Sequence, residues 1–268
     1  MKQEQARGTT MRDANGPRSR RLFLGTVAGS LSTIAGCTSI LQSSSNDSDT
    51  GSNTTSRHSS NGNGTSLLYA TEKTTKFGID LQGNPVIGSS DAPLDMYYWS
   101  DYQCPFCQKF EQNTLPKLLD NYVKPGNVRI VVLEKPYIGQ ASETAARMAK
   151  CVWRTVRDRK PDAFKRWHST MFDKQGKENS GWAQRSNLLE ITDRVQGVDA
   201  TVVESCMKKN RDAVIASIDA DIKTSEKNGI RGTPAFIIFD RESTKAGKLV
   251  GAQPYSLFKK SLRKINNA

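Results

Sequence analysis

A strand that stops at a turn carrying two cysteines, three positions apart, constrains this chain more than any other feature. Met96, Tyr97, Tyr98 and Trp99 form an apolar, aromatic run suited to a buried strand. It ends at Ser100-Asp101, and Tyr102-Gln103-Cys104-Pro105-Phe106-Cys107 follows. Pro105 opens a helical pattern carried by Phe110, Leu115, Leu118 and Leu119. Proline suits the first turn because its missing N–H would be unpaired there anyway. The segment therefore predicts strand, short turn and helix, with one cysteine at the helix start and the other a turn further on.

That placement has a chemical use. Positions i and i+3 are neighbours on a helix, which puts Cys104 and Cys107 within disulfide reach. The unpaired N–H groups and dipole at a helix start favour negative charge, so Cys104 is expected to ionise easily and act as the exposed nucleophile. Cys107, deeper, would resolve a mixed disulfide. The same residues leave two other readings open, half of a zinc site or a static bridge. A structural zinc normally takes four protein ligands, and neither His58 nor His168 has ligand-like spacing; His168, alone on a helix, reads as structural. No metal or organic cofactor is implied.

The leader, residues 1–36, has the look of a targeting segment. Ser19-Arg20-Arg21-Leu22-Phe23-Leu24 resembles a twin-arginine export signal, with Arg20 and Arg21 as its core. The 15-residue run Leu22–Gly36 is shorter than the ~20 apolar residues of a spanning helix. It ends in Ile34-Ala35-Gly36-Cys37, which resembles a lipobox and implies lipidation at Cys37; the alternative is a stray thiol in an uncleaved anchor. Residues 37–66 form a Ser/Asn/Gly-rich tether with nothing to bury. Its Asn46, Asn53 and Asn63 triplets fit the glycosylation pattern, common by chance in such sequence.

The 268 residues carry a formal charge of +12 and a hydrophobic fraction of only 36%. The apolar deficit lies mainly in the first third, so the remainder can build a core. Lys208, Lys209, Arg211 and Lys259, Lys260, Arg263, Lys264 fall on helix faces turned from the apolar positions. No aromatic interleaving or nucleic-acid motif accompanies them, and no nucleic-acid partner is expected.

Beyond the tether, Phe77 to Ile87 is predicted to hold a strand pair or an extended arm around Gly83-Asn84. The helix after Cys104 is expected to run to Tyr122 with a kink at Pro116, and Val128 to Leu133 forms the next strand. From Gly139 the apolar period becomes helical for some 90 residues, with Ala145, Ala149, Val152, Trp153 and Val156 on one face. Helices are expected at Ala163–Phe172, Trp182–Val195, Thr201–Lys209 and Arg211–Asn228. Strand signal returns after Gly232-Thr233-Pro234 at Ala235–Phe239, with a hairpin partner at Lys248–Gly251 and a closing helix from Pro254. The fold class is α/β, a thioredoxin-like sheet (67–138 and 229–268) with an all-helical insertion (139–228) in what should be a crossover between parallel strands.

From Ile79 to Ile265 the chain resembles the DsbA family of exported thiol–disulfide oxidoreductases. Asp101-Tyr-Gln-Cys104-Pro-Phe-Cys107, the insertion with Cys151 and Cys206, and Gly232-Thr233-Pro234 carry the resemblance. It implies a cis Pro234 beside the cysteine pair, with Thr233 offering its backbone to an extended substrate. It also implies a Cys151–Cys206 disulfide, Cys206 sharing an apolar stripe with Val202, Val203 and Met207. Phe106 and Tyr102 are expected to line the substrate groove. Tyr98 replaces the buried acid often found six positions before the first cysteine. A phenol of pKa ~10 is a poor base at neutral pH, so proton transfer falls to Glu134, Lys135 or water. Pro-Phe between the cysteines lacks the imidazole of the strongest oxidants, near −120 mV, and a less oxidising couple is expected.

Taken together, these readings describe a monomeric, lipid-anchored oxidoreductase on the extracytoplasmic face of the membrane. It would form or exchange disulfides in exported protein thiols, serviced by a membrane redox partner such as a quinone-linked oxidase or an electron donor. The alternatives are a reductase or isomerase supporting cytochrome or metal-centre assembly, and a non-catalytic metal-binding or structural protein.

Overall fold

The computed structural model describes residues 66–267. Arg20, Arg21, Cys37 and nearly all of the tether lie outside the described residues. Among the described residues one sheet has six strands in the order β1-β2-β4-β3-β5-β6. Its centre is β3 (Leu94–Ser100) beside β4 (Val128–Glu134), in which every residue is buried. Mostly apolar strands of this kind are what cover on both faces requires, and Asp95 of β3 and Arg129 of β4 are buried as a pair. β3 runs parallel to β4, from Leu94↔Val128 to Ser100↔Glu134. It runs antiparallel to β5 (Ala235–Asp240), with Met96 opposite Ile238 and Tyr98 opposite Phe236. β6 (Ala246–Val250) closes one edge against β5.

At the other edge the strand-pair alternative does not hold. Phe77 to Ile87 does not pair with itself around Gly83. Instead β1 (Leu68–Tyr69) pairs with β2 (Val86–Ile87), and β2 lies against β4. Pro85 has no N–H for a ladder, so the strand starts after it; its carbonyl still accepts from Val132 N at 3.1 Å. Asn84, expected in a turn, is buried and donates to the Asp221 carboxylate at 3.2 Å.

Alternation along the strands splits the core in two. Met96, Tyr98, Ile130, Val132, Phe236 and Ile238 face one side; Tyr97, Trp99, Val131, Leu133, Ile237 and Phe239 face the other. On the first side lie α1 (Pro105–Asn113) and α2 (Leu115–Leu118), followed by a π-helical turn at Leu119–Val123. The expected single kinked helix is thus divided at Thr114, because Pro116 cannot donate back along the helix. The closing helix α8 (Tyr255–Asn266) adds Phe258, Leu262 and Ile265 to the same core.

Between β4 and β5 come α3 (Gly139–Val156), α4 (Asp162–Asp173), α5 (Arg185–Asp193), α6 (Ala200–Lys209) and α7 (Arg211–Lys227). This is not a crossover between parallel strands: β4 and β5 lie on either side of β3, one parallel and one antiparallel to it. The parallel crossover is the short one through α1 and α2. Helix α5 is shorter than expected because Gly181, at φ +87°, turns the chain ahead of it. Trp153, Phe164, Trp167, Leu188 and Val203 join the hydrophobic cluster of the sheet's first face, so sheet and insertion share one core. Cys151 on α3 and Cys206 on α6 form a disulfide with Cα atoms 5.7 Å apart. Val203 is buried beside Cys206, but Val202, expected on the same stripe, is 48% exposed.

Candidate active site

The turn between β3 and α1 is fixed by side chains from several parts of the chain. Asp101 is buried, and its Oδ1 accepts from Gln103 N at 2.8 Å. Its Oδ2 accepts from Tyr137 N at 2.9 Å and Ile138 N at 3.1 Å, tying this turn to the loop after β4. Gln103 Nε2 donates to Ser142 Oγ at 3.0 Å, and its Oε1 accepts from Asn179 N at 3.0 Å. Gln175 Nε2 donates to the carbonyls of Tyr102 at 2.6 Å and Cys104 at 3.1 Å. The insertion therefore holds the turn from which Cys104 projects.

Cys104 is the N-cap of α1, with extended backbone (φ −78°, ψ 116°), and Pro105 follows in the first turn. Its thiol donates to the Thr233 carbonyl at 3.3 Å, and the Thr233–Pro234 peptide is cis. On ionisation the sulfur becomes an acceptor, in the position an N-cap oxygen normally fills. The Cys107 thiol then stabilises it most. Burial opposes this, and the Thr233 hydroxyl and the N–H groups of Cys107 and Phe106 add further support. The Cys104 pKa is brought down to about 6. Thr233 Oγ1 has no partner while Cys104 is a thiol; we assign its hydrogen bond to the thiolate form. Cys107, fully buried, has its pKa pushed well above the ordinary value, first by loss of solvent and then by Cys104. The two thiols thus differ in acidity in opposite directions.

Two placements differ from the expected ones. Cys104 is not exposed: it is 1% accessible, against 0% for Cys107. Tyr137 lies against Cys104 and Thr233 while half its own surface remains open. Tyr102 does not line a surface groove either. It is 1% exposed, stacked on Phe172 with centroids 5.1 Å apart and edge-on to Trp167. Phe106 does face outward, at 60% exposure. Tyr98 is buried on the β3 face beside Phe110, its hydroxyl donating to Ser100 Oγ at 3.0 Å. Burial, then charge on Glu111 and Cys107, pushes its pKa well up, so it stays a phenol. Lys135 donates to Ser225 Oγ at 2.8 Å. Glu134 is buried with Oε2 unpartnered; desolvation holds its pKa well above the carboxylate range, against the pull of Lys150.

The fold thus brings together a helix-start cysteine of lowered pKa, a buried second thiol and the Thr233 carbonyl that precedes a cis proline. Across the chain, residues 80–250 match the thioredoxin family model. The chain belongs to the thioredoxin family. Disulfide bond formation protein D of Bacillus subtilis (strain 168) is 26% identical over 161 residues, 60% of this chain and 70% of that protein. The oxidised BdbD structure from Bacillus subtilis superposes with a TM-score of 0.61 at 22% identity, covering 75% of this chain and all of that one. Alpha-DsbA1 from Wolbachia pipientis gives 0.59 at 18% identity, with 73% and 96% covered. By family and homology this thioredoxin-family chain is a thiol–disulfide oxidoreductase.

Sequence reading missed Tyr137, Gln103 and Gln175 at this thioredoxin-family centre. Tyr137 and Gln175 have no local signature, since they reach the cysteines only through tertiary folding.

Proposed function

We propose that this protein forms disulfides in exported proteins through Cys104 and Cys107. The observation that carries the reading is the opposed tuning of the two thiols, with Cys104 brought down to about 6 and Cys107 pushed up. A stabilised Cys104 thiolate is a good leaving group and favours the reduced pair, which makes the oxidised pair an acceptor of substrate electrons. A substrate thiolate attacks Cys104, Cys107 leaves, and a second substrate thiolate then displaces Cys104, so that the substrate carries the disulfide. Thr233 and Pro234 bound the sulfur and offer backbone to an extended substrate, with Phe106 and Tyr137 at the rim.

The working compartment is the extracytoplasmic face of the membrane, reached through the twin-arginine leader and held by lipid on Cys37. A Cys151–Cys206 disulfide supports an oxidising compartment. Exported protein thiols are the substrates and a membrane redox protein restores the pair. The test uses the mature chain in two assays, reoxidation of a reduced, unfolded protein with two native disulfides and reduction of insulin by dithiothreitol. Refolding-oxidase activity that vanishes in Cys104→Ser supports the reading. Insulin reduction without refolding-oxidase activity rejects it in favour of a reductase.

A further inference from the structure

A cavity of about 600 Å³, unused by the reaction as described, opens between α3, α7 and the loop ahead of β2. That volume is in the range of small-molecule sites. Small side chains on α7 leave the space: Ala213, Ala216, Ser217 and Ala220 share one face of the helix and line the cavity. The loop approaches α7 closely at one edge, where a Cβ on Gly83 would stand 3.2 Å from Ser217 Oγ.

The wall is rich in donors. Arg154 and Arg157 at the end of α3, and Lys223 on α7, line it. Other basic side chains of the insertion take an acidic partner, Arg147 with Glu143 at 3.1 Å and Arg185 with Glu204 at 2.8 Å. Among the described residues, none of the three reaches a carboxylate within hydrogen-bond distance; Asp158 Oδ1 stays 3.7 Å from Arg157 Nε. Arg157 Nε is nonetheless buried and makes no hydrogen bond. Trp153 Nε1 is buried without a partner as well, in a narrow recess that shares Gly83, Arg154 and Arg157 with the cavity. Buried donors left unpaired are costly, so the wall favours a ligand made of acceptors. Two acids also line it. Asp221 is neutralised by Lys150 Nζ at 2.6 Å and also accepts from Glu134 N at 3.0 Å. Asp80 Oδ1 accepts from Gln82 N at 2.9 Å. Three cations against one carboxylate without a cationic partner leave the cavity positive.

We propose that this cavity binds a small phosphate-bearing molecule, with Arg154 and Arg157 holding the phosphate and Lys223 adding charge. Arginine presents paired N–H groups that match phosphate oxygens. The cavity is larger than a bare phosphate would fill, and Asp80, Gln82 and Ser217 on its wall offer a carboxylate, an amide and a hydroxyl to the rest of a hydroxylated ester. A free phosphate ester and the headgroup of a phospholipid share that chemistry.

Isothermal titration calorimetry of the full-length oxidised protein tests the site with two soluble probes. Glycerol phosphate stands for a free ester and glycerophosphoglycerol for a lipid headgroup. At least one should bind, and the tighter of the two identifies the source. Arg154→Met and Arg157→Met should each weaken binding about tenfold or more, as loss of a hydrogen bond to a charged partner does. Ala216→Leu, which fills the cavity and keeps every charge, should weaken it as much. Lys259→Met, which removes a cation from α8 instead, should leave it within about twofold. Arg154 and Lys223 are exposed, so Arg154→Met and Lys223→Met decide the matter should Arg157→Met fail to fold. Binding of neither probe overturns the proposal. So does wild-type affinity in Ala216→Leu, or a loss in Lys259→Met equal to that of the arginine variants, since binding would then follow overall charge.

Discussion

Cys104 Sγ sits 3.3 Å from the carbonyl oxygen of Thr233, a residue 129 positions away. The contact joins the start of α1 to the approach of β5, and Thr233 offers the sulfur a partner in both protonation states. As a thiol it donates to the carbonyl; as a thiolate it accepts from the Thr233 hydroxyl.

Alkylation should separate the two sulfurs. Reduced protein treated with iodoacetamide should be modified at Cys104 with a pH midpoint near 6, leaving Cys107 unmodified across the neutral range. Peptide mapping checks this, and a midpoint near the free-thiol value of about 8.5 rejects it. Thr233→Val removes the hydroxyl but keeps the carbonyl, so it should raise the midpoint.

A thiolate near pH 6 is more acidic than a free thiol but less so than the ~3.5 of the strongest oxidant. The couple should therefore lie below about −120 mV, towards the isomerases and glutaredoxins. Equilibration with glutathione buffers measures it; a value at or above that of the strongest oxidant would rule out the link between thiolate and potential.

Stability of the reduced form should depend on pH in a direction set by the same shift. Cys104 titrates at about 6 when folded and near 8.5 when unfolded. A depressed pKa contributes fully above the unfolded value and is lost as pH falls through the folded value. Reduced protein should thus gain on oxidised protein between about pH 6 and 8.5. Above that, Cys107, displaced upward, reverses the trend. Urea midpoints of both forms at each pH give the difference; a flat difference contradicts the assignment.

Removing the Cys151–Cys206 bridge, which closes a span of 55 residues, should cost about 4 kcal/mol in the chain-entropy model. Cys151→Ala/Cys206→Ala protein should unfold at lower urea yet keep the Cys104 alkylation midpoint, because the bridge ties α3 to α6 without touching α1. Unchanged stability would show that the shared core alone holds the insertion.

Across the central strands, Arg129 Nε lies 2.5 Å from Asp95 Oδ1, both side chains buried, and Tyr97 Oη donates to Asp95 Oδ2 at 2.7 Å. Arg129→Met strands a buried carboxylate and should destabilise by about 3–5 kcal/mol. Arg129→Met with Asp95→Asn should recover part of the loss. Thermal unfolding of the single and double variants tests the coupling.

Legibility followed the range of the interactions. Leu94–Ser100 and Ala235–Asp240 could be read because continuous apolar runs beside turns report a doubly covered strand within a few residues. The α3–α7 block was readable for its period of apolar positions. The helix bounds moved for local reasons, at Pro116 and Gly181, whereas two misplaced side chains depended on distant partners. Asn84 has the composition of a turn, yet Asp221, 137 positions on, draws it inside. Tyr102 looked like a groove residue beside the cysteines, but Trp167, His168 and Phe172 of α4 enclose it.

By itself the sequence determined the cysteine-bearing helix: two thiols one turn apart, a proline in the first turn and a strand feeding it are all local, and local spacing fixes local geometry. Only the tertiary structure decided how those thiols differ. Burial of Cys107 and the Thr233 carbonyl at Cys104 depend on which segments pack together. Desolvation and hydrogen bonding, which set a thiol's acidity, exist only once those segments have met.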